Sequence, residues 1–256
     1  MIKDVIQSIS TAAQKLLSNW GALLISFLLY AVLLSVLYLL FTTREATLLQ
    51  VLLTFFLPLI ALFLFFTLQV LGLSYIRIGV GPVYLLKRAL NDSWKLLLIS
   101  LPLILIIGLV LYLSGELESK LLYQTYSGSP RWKLTTLEWV RDSLLYFVFP
   151  LIAIQLWIST VHEGMAAAIK SIGRSLAQAF SPRSMLVYLL VVAVFGTVAY
   201  FLFFTKIPIE SNWGELWLFG VRLAIAMIFL FLGWLLTLGS LSELSARGAA
   251  MTEMKV

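Results

Sequence analysis

Six long runs of apolar residues constrain this chain of 256 residues more than any other feature. They lie at about 20–42, 48–72, 95–113, 143–161, 184–205 and 217–240. Each run is long enough to cross about 30 Å of hydrocarbon as a helix that rises about 1.5 Å per residue. The runs are apolar on every side, whereas the strands of a membrane barrel alternate between apolar and polar residues. We therefore predict an all-α integral membrane protein with six transmembrane helices.

The composition points to the same class of protein. The chain is 61% hydrophobic and 12% charged, whereas about a quarter of the residues in a soluble domain are charged. Lipid must therefore cover most of its surface. The first apolar run is too long for the core of a signal peptide, so we expect it to be retained as a span. The sequence contains no cysteine, which excludes disulfides and thiolate chemistry within the chain.

Lysine and arginine are distributed unequally between the two sides of the predicted spans. Eleven of the 18 lie on the side of the N-terminus, six lie on the opposite side, and Arg222 lies in or beside the last span. Positive residues accumulate on the cytoplasmic side of membrane proteins, so both termini are predicted to be cytoplasmic. This topology explains the net charge of +6, and we predict no nucleic-acid partner.

Three amphipathic segments precede the odd-numbered spans, at 1–20, 83–94 and 165–180. In each, apolar residues recur at i, i+3, i+4 and i+7 opposite a polar face, the pattern of a helix that lies flat at a membrane surface. Their basic faces would contact anionic lipid headgroups or a partner protein. Six cations are predicted to make this contact and are called the basic collar below: Lys15, Lys87, Arg88, Lys95, Lys170 and Arg174.

A proline-centred phrase occurs twice, as LPLIAL at 57–62 and FPLIAI at 149–154. Pro58 and Pro150 are predicted to kink their helices, because a proline inside a helix removes a hydrogen bond. The phrases also indicate that the chain repeats one unit of interfacial helix and transmembrane hairpin. In the third copy the matching position falls near Arg222.

The predicted repeat has three units within a single membrane domain 1–256, at about 1–80, 81–164 and 165–256. The middle unit is longer by an insertion, which we predict to be an extracytoplasmic loop over 114–142. Repetition of this kind is a common way to build membrane bundles.

Few polar side chains fall within the spans. Arg222, Gln69 and Gln155 are candidates for an intramembrane polar site. The alternatives are that Arg222 extends to the interface and that the two glutamines hydrogen-bond between helices. Five glycines are expected to allow close helix approach: Gly72, Gly196, Gly220, Gly233 and Gly239.

Enzymatic chemistry is not expected. All twelve acidic residues lie in loops, termini or interfacial segments, so no carboxylate is available within the membrane to carry a proton or sodium ion. No hydrolase, nucleotide-binding or zinc-protease motif occurs. We predict no catalytic residue, no metal site and no cofactor.

Residues 84–100 read YLLKRALNDSWKLLLIS. Through Ala89, Ser93, Trp94, Lys95 and Leu96, this stretch resembles the repeated units of bacterial multi-pass proteins of the glycerophosphoryl diester phosphodiesterase membrane-domain type. A fainter likeness occurs at Ser18-Asn19-Trp20, whereas the third unit has Ser184-Met185, and the catalytic domain of that family is absent. The resemblance implies a prokaryotic cytoplasmic (inner) membrane protein with a non-catalytic role.

These observations lead to two hypotheses of function. The first is a scaffold or accessory subunit that binds lipid or a membrane protein complex through the basic collar. The second is a facilitative transporter or channel for a small anionic or lipidic substrate, using Arg222, Gln69, Gln155 and the proline kinks. A continuous polar cavity that reaches the middle of the membrane would distinguish the second from the first.

Overall fold

The computed structural model describes residues 2–43, 47–75, 81–126, 131–205 and 212–253, and these residues contain helices and no strand. The α-helices are α1 Ile2–Ser18, α2 Trp20–Thr42, α3 Leu48–Ser74, α4 Pro82–Tyr126, α5 Trp132–Ser143, α6 Phe149–Glu163, α7 Met165–Lys170, α8 Ile172–Ala179, α9 Pro182–Phe204 and α10 Asn212–Glu253, with a π-helical segment at Leu144–Val148 between α5 and α6. Six helices are long and apolar enough to cross a membrane. The predictions of an all-helical chain and of six membrane-spanning helices are therefore confirmed.

Polar side chains cap the N-termini of three membrane-spanning helices. The Asn19 side-chain oxygen accepts a hydrogen bond from the Ala22 N–H (3.2 Å) at the start of α2. At the start of α3 the Thr47 hydroxyl accepts a hydrogen bond from the Gln50 N–H. At the start of α9 the Ser181 hydroxyl accepts one from the Ser184 N–H, and Pro182 is the first helical residue. Such caps satisfy N–H groups that have no partner within the helix. They also separate α1 from α2, and α8 from α9.

The chain forms two compact units, Met1–Trp94 with Ser181–Val256 and Lys95–Phe180. One chain boundary between the units lies within α4 and the other lies between α8 and α9. Neither is at an end of a predicted repeat, and the threefold repeat stays a prediction. In the first unit the core includes the second half of α3, where every residue of 66–75 is buried, and residues 235–242 of α10.

Two glycines bring helices of the first unit close together. A Cβ atom added at Gly233 would lie 2.7 Å from Cβ of Phe195 in α9, and one added at Gly72 would lie 2.7 Å from Cδ1 of Leu238 in α10. At Gly220 nothing lies within 4 Å. Close approach is therefore confirmed at Gly72 and Gly233 and is not found at Gly220.

Within the second unit, polar contacts connect α6 to its neighbours. The Trp157 indole N–H donates to the Ser100 hydroxyl of α4 (2.8 Å), and the Ser159 and Ser175 hydroxyls pair across α6 and α8 (2.9 Å). Gly164 separates α6 from α7 with φ of 88°, a conformation that favours glycine. The Ser159–Ser175 contact holds α8 against α6.

The described residues of the predicted extracytoplasmic loop over 114–142 are mostly helical, and the position of this insertion outside the membrane stays a prediction. Helix α4 continues to Tyr126 and α5 begins at Trp132, so most of this stretch is helical. Arg141 of α5 contacts Glu118 of α4 (2.7 Å), and Lys120 contacts Glu116 one turn away (3.6 Å). The Lys120–Glu116 pair is one turn apart and supports the helix here.

The amphipathic segments differ from one another in the structure. Residues 2–18 form a single helix that is separate from their span. Residues 83–94 continue without a break into the third span as α4. The Ser93 hydroxyl donates to Leu90 O (2.9 Å) within this helix. Residues 165–180 form two short helices separated at Ser171.

The two prolines occupy different settings. Pro58 lies inside α3, which is α-helical on both sides of it, 16 residues before the helix ends at Ser74. Pro150 lies 13 residues before the end of α6 and is the second residue of this helix, which follows the π-helical segment Leu144–Val148. A π turn accommodates the missing proline N–H by shifting the hydrogen-bond pattern. The two phrases therefore mark different points along their helices.

Candidate functional site

The first turns of α4 present a basic face with a groove. Tyr84, Lys87, Arg88 and Asn91 are spaced i, i+3, i+4 and i+7, so they share one side of the helix. Together with Leu90 they line an open surface groove of about 650 Å³. Two cations, an amide and a phenol are therefore available to a ligand on one helix face.

Apolar packing fixes the opposite side of this segment. Leu85, Ala89 and Ser93 are buried and follow one another at i, i+4 and i+8. At the start of α4, Pro82 packs against Gly21 of α2, where an added Cβ would lie 2.9 Å from Pro82 Cγ. This packing orients the basic face away from the unit.

The two cations of this face differ in their charge partners. The Arg88 guanidinium lies 3.6 Å from the Asp92 carboxylate one turn away. Lys87 is exposed and forms no ion pair with the described residues. The side chains of Lys87, Arg88 and Asp92 therefore carry a net charge of about +1, and the positive charge is centred on Lys87.

Lys15, a third member of the basic collar, contacts the end of α10. Its ammonium lies 2.9 Å from the Glu243 carboxylate, which also meets Arg247 at 3.4 Å. Arg247 in turn donates to the Thr11 hydroxyl (3.3 Å). These contacts attach α1 to α10 within the first unit. Contact of Lys15 with headgroups stays a prediction.

Helix α1 has three sectors around its axis. One sector, with Val5, Ala12 and Leu16, is buried, and Ala12 packs with Val191 of α9 and Leu236 of α10. Beside it lies an apolar sector that is exposed, and beyond that lies the polar sector. The exposed apolar residues are Ile2, Ile6 and Leu17.

The remaining members of the basic collar lie in the second unit. Lys170 ends α7 and Arg174 lies in α8, and both are exposed without an ion pair among the described residues. The buried residues Ala168 and Ala179 face the packed side of these helices. Lys95 follows Trp94 in α4 and is half-buried.

Gln69 is buried in the first unit and forms a hydrogen bond between helices. Its side-chain oxygen accepts from the Trp234 indole N–H at 2.7 Å, which joins α3 to α10. This geometry agrees with the alternative in which the amide connects helices. The sequence gives no signal for the role of Trp234, because a tryptophan in an apolar run does not reveal its partner.

Arg222 lies near the end of α9. Its guanidinium is 3.5 Å from the carbonyl oxygen of Phe201, in the last turn of that helix. Carbonyl groups at a helix C-terminus lack helical partners and attract cations. Arg222 precedes Trp234 by 12 residues in α10, about 18 Å along the axis. The structure does not bring Arg222 together with Gln69.

Gln155 is buried in α6, and its side-chain oxygen accepts no hydrogen bond from the described residues. It lies one turn from Ser159, whose hydroxyl contacts Ser175. No group of three histidine or acidic side chains that could hold a metal occurs in the part of the chain that the structure describes.

The fold and these sites define a class of protein, a multi-pass helical membrane protein. Comparison with protein-family models, with curated proteins and with solved structures found no match. The resemblance to the phosphodiesterase membrane-domain type therefore stays a prediction.

Proposed function

We propose that this chain is a non-enzymatic scaffold of a prokaryotic cytoplasmic membrane that binds anionic lipid headgroups at its cytoplasmic face through the basic face of α4. The observation that carries the proposal is Lys87, an exposed cation without an ion pair among the described residues, in a groove that it shares with Arg88 and Tyr84. An anionic headgroup in this groove would supply the missing negative charge.

The residues around the groove suit a membrane interface. Tyr84 lines the groove and is exposed, and such aromatic side chains favour the headgroup layer. Lysine and arginine can rest their aliphatic stems on apolar surface while the charge reaches phosphate groups. The continuity of α4 with the third span supports a position of this face at the end of a membrane-spanning helix.

Two other parts of the chain support the same proposal. Helix α1 exposes an apolar sector next to a polar one, as expected for a helix at the boundary between acyl chains and water. Lys170 and Arg174 add two exposed cations in α7 and α8. Each cation near an anionic leaflet contributes about 1 kcal/mol of attraction.

The transport hypothesis has less support. Arg222 contacts the end of α9, and Gln69 contacts Trp234 about 18 Å further along α10. Both of these polar groups therefore have partners of their own within the first unit. The groove of α4 is open at the surface and contains none of the three polar residues that this hypothesis needs.

The test is lipid retention by the variant Lys87→Gln/Arg88→Gln. Purified protein is titrated with phosphatidylglycerol against phosphatidylcholine, and bound lipids are counted by native mass spectrometry. At about 1 kcal/mol per charge, loss of one cation weakens binding about fivefold and loss of both up to about 25-fold. Because Arg88 already pairs with Asp92, the expected loss of lipid affinity lies between these limits.

Lys120→Gln is the matched control, since Lys120 lies in the same helix, away from the groove, and already pairs with Glu116. It should change phosphatidylglycerol retention less than twofold. Equal retention by the double variant, the control and the unmodified protein would refute the proposal. If the double variant retains lipid normally but loses a protein that co-purifies with the unmodified chain, the groove binds a protein partner and not lipid.

A further inference from the structure

Helix α6 carries a buried amide whose oxygen has no donor among the described residues. Gln155 is 2% exposed, and its Oε1 atom accepts no hydrogen bond from them. Burial removes the water that solvates an amide oxygen, and this loss destabilises the fold unless another donor takes the place of that water. Buried acceptors of this kind are paired with a protein group or with an ordered water molecule.

The donors nearest to Gln155 along α6 are already engaged. The Trp157 indole N–H donates to the Ser100 hydroxyl of α4 (2.8 Å). The Thr160 hydroxyl donates to a carbonyl oxygen of its own helix (2.7 Å). In the first unit, by contrast, a tryptophan indole N–H pairs with the buried amide of Gln69. The second unit uses this kind of donor elsewhere, so Gln155 needs another.

A pair of buried serines lies one turn beyond Gln155. The Ser159 hydroxyl of α6 and the Ser175 hydroxyl of α8 are 2.9 Å apart, and either can be the donor. A hydroxyl has one proton and two lone pairs, so this contact uses one of the two protons. The second proton meets no acceptor in the contacts of the residues that the structure describes. A donor and an acceptor without partners therefore lie about one turn apart along α6.

We propose that Gln155, Ser159 and Ser175 form a buried site that holds one or two water molecules. In this arrangement Ser175 donates to Ser159, Ser159 donates to a water, and a water donates to Gln155 Oε1. Side chains at i and i+4 have Cβ atoms about 5–6 Å apart, and a water that makes two hydrogen bonds of about 2.8 Å can span that distance. A second water in series extends the reach if the amide leans away from Ser159 along the helix.

Water fits these groups better than a metal cation does. A cation accepts no hydrogen bond, so it would leave the serine proton without a partner. Hard cations are held by sets of oxygen ligands that include carboxylates. The one acid of α6 and α8, Glu163, is exposed and lies eight residues beyond Gln155. Water both donates and accepts, and a buried water makes about three hydrogen bonds to polar groups that lack other partners.

The side of α8 that carries Ser175 has small side chains. Ser175 and Ala179 are four residues apart, so both lie on this side, and both are buried. Such short side chains take up little of the space beside α6, as a water-sized ligand requires. The site lies in the second unit and is independent of the lipid contacts proposed for Lys87 and Arg88.

Experimental structure determination of the full chain in a lipid nanodisc tests the site directly. At a resolution that shows ordered water, a peak is expected about 2.5–3.0 Å from Gln155 Oε1, connected by hydrogen bonds to Ser159 Oγ. A protein donor at this distance from Oε1 would overturn the proposal. So would the absence of a peak beside Oε1 in a map that shows water elsewhere in the chain.

A substitution that removes the amide but keeps the length of the side chain gives a second test. Gln155→Met would leave the water without its acceptor, so Tm should fall. Leu151→Met is the matched control, because Leu151 is also buried, one turn earlier in α6, and reports the cost of methionine itself. The fall for Gln155→Met should exceed that of the control by about 2–4 °C, the effect of one lost hydrogen bond in a chain of this length.

The opposite sign would count against the water. If Gln155 Oε1 has no donor, Gln155→Met removes an unpaired acceptor, and its Tm should equal or exceed that of Leu151→Met. That result would overturn the proposal.

A double variant shows whether Gln155 and Ser159 share the water. Either Gln155→Met or Ser159→Ala alone breaks the connection between the two side chains. The fall in Tm of the double variant should therefore be smaller than the sum of the two single falls. Additive falls would show that the two residues do not act through one site, and would also overturn the proposal.

Discussion

The contact between α9 and α10 at Gly233 provides the sharpest test of the fold. In Gly233→Ala the new Cβ would lie 2.7 Å from Cβ and 2.8 Å from Cγ of Phe195. Rotation of the phenyl ring cannot relieve the first contact, because the backbone of α9 fixes the position of Phe195 Cβ. The two helices must therefore separate locally, which weakens the packing around them.

Comparison with a second glycine in the same helix isolates this steric cost. Gly220→Ala meets no atom within 4 Å, yet both substitutions gain the same helix propensity, about 1 kcal/mol. Overpacking costs about 1–3 kcal/mol. Gly233→Ala is therefore expected to be less stable than Gly220→Ala by about 1–3 kcal/mol, although the propensity gain offsets part of the loss relative to the unmodified chain.

Gly72 gives an intermediate case. Its added Cβ would meet Cδ1 of Leu238 at 2.7 Å, but this atom ends a flexible side chain that can change rotamer at a cost of about 1 kcal/mol. The predicted order of stability is Gly220→Ala, then Gly72→Ala, then Gly233→Ala.

Thermal unfolding in detergent, followed by near-ultraviolet circular dichroism, measures this order. A difference of 1–3 kcal/mol corresponds to about 2–12 °C in Tm for a chain of this length. A Gly233→Ala protein as stable as Gly220→Ala would refute the close approach of α9 and α10. Equal stability of all three variants would show that none of the three glycines is a packing contact.

Two further predictions concern polar contacts. Glu243→Gln removes the carboxylate that pairs with Lys15 and Arg247. The contact between α1 and α10 should therefore weaken by about 1 kcal/mol. Limited trypsin cleavage after Lys15 should then be about fivefold faster, and an unchanged rate would contradict this role. Trp157→Phe breaks the hydrogen bond to Ser100, and a double-mutant cycle with Ser100→Ala should give a coupling of about 0.6–1.7 kcal/mol. A coupling near zero would contradict the bond.

The basic collar shows why the sequence predicted cations but not their roles. Lys15 and Lys87 occupy the same kind of position, on the polar face of an amphipathic segment ahead of a span. In the structure Lys15 meets Glu243, 228 residues away in the sequence, whereas Lys87 forms no ion pair among the described residues. Local periodicity places a side chain on a helix face but says nothing about which distant helix lies beside it.

The segment 114–142 shows a similar limit for polar stretches. The longer middle unit predicted an insertion here, and the structure shows that most of it is helical, since α4 continues to Tyr126 and α5 starts at Trp132. Charged residues are compatible with a solvated loop and with a solvated helix. The contact of Arg141 with Glu118 brings two elements together, and no property of either residue alone predicts it.

The sequence alone determined the class of protein and the six spans, because transfer from water to lipid depends on the apolar content of about 20 successive residues. Tertiary structure alone decided which polar and small residues meet. Gly233 and Gly220 lie in the same helix, but only Gly233 contacts α9. Gln69 is one of two buried glutamines within the spans, but its partner Trp234 comes from a helix that folds back beside it. Contacts of this kind depend on how helices cross, and crossing is set by the packing of many side chains together.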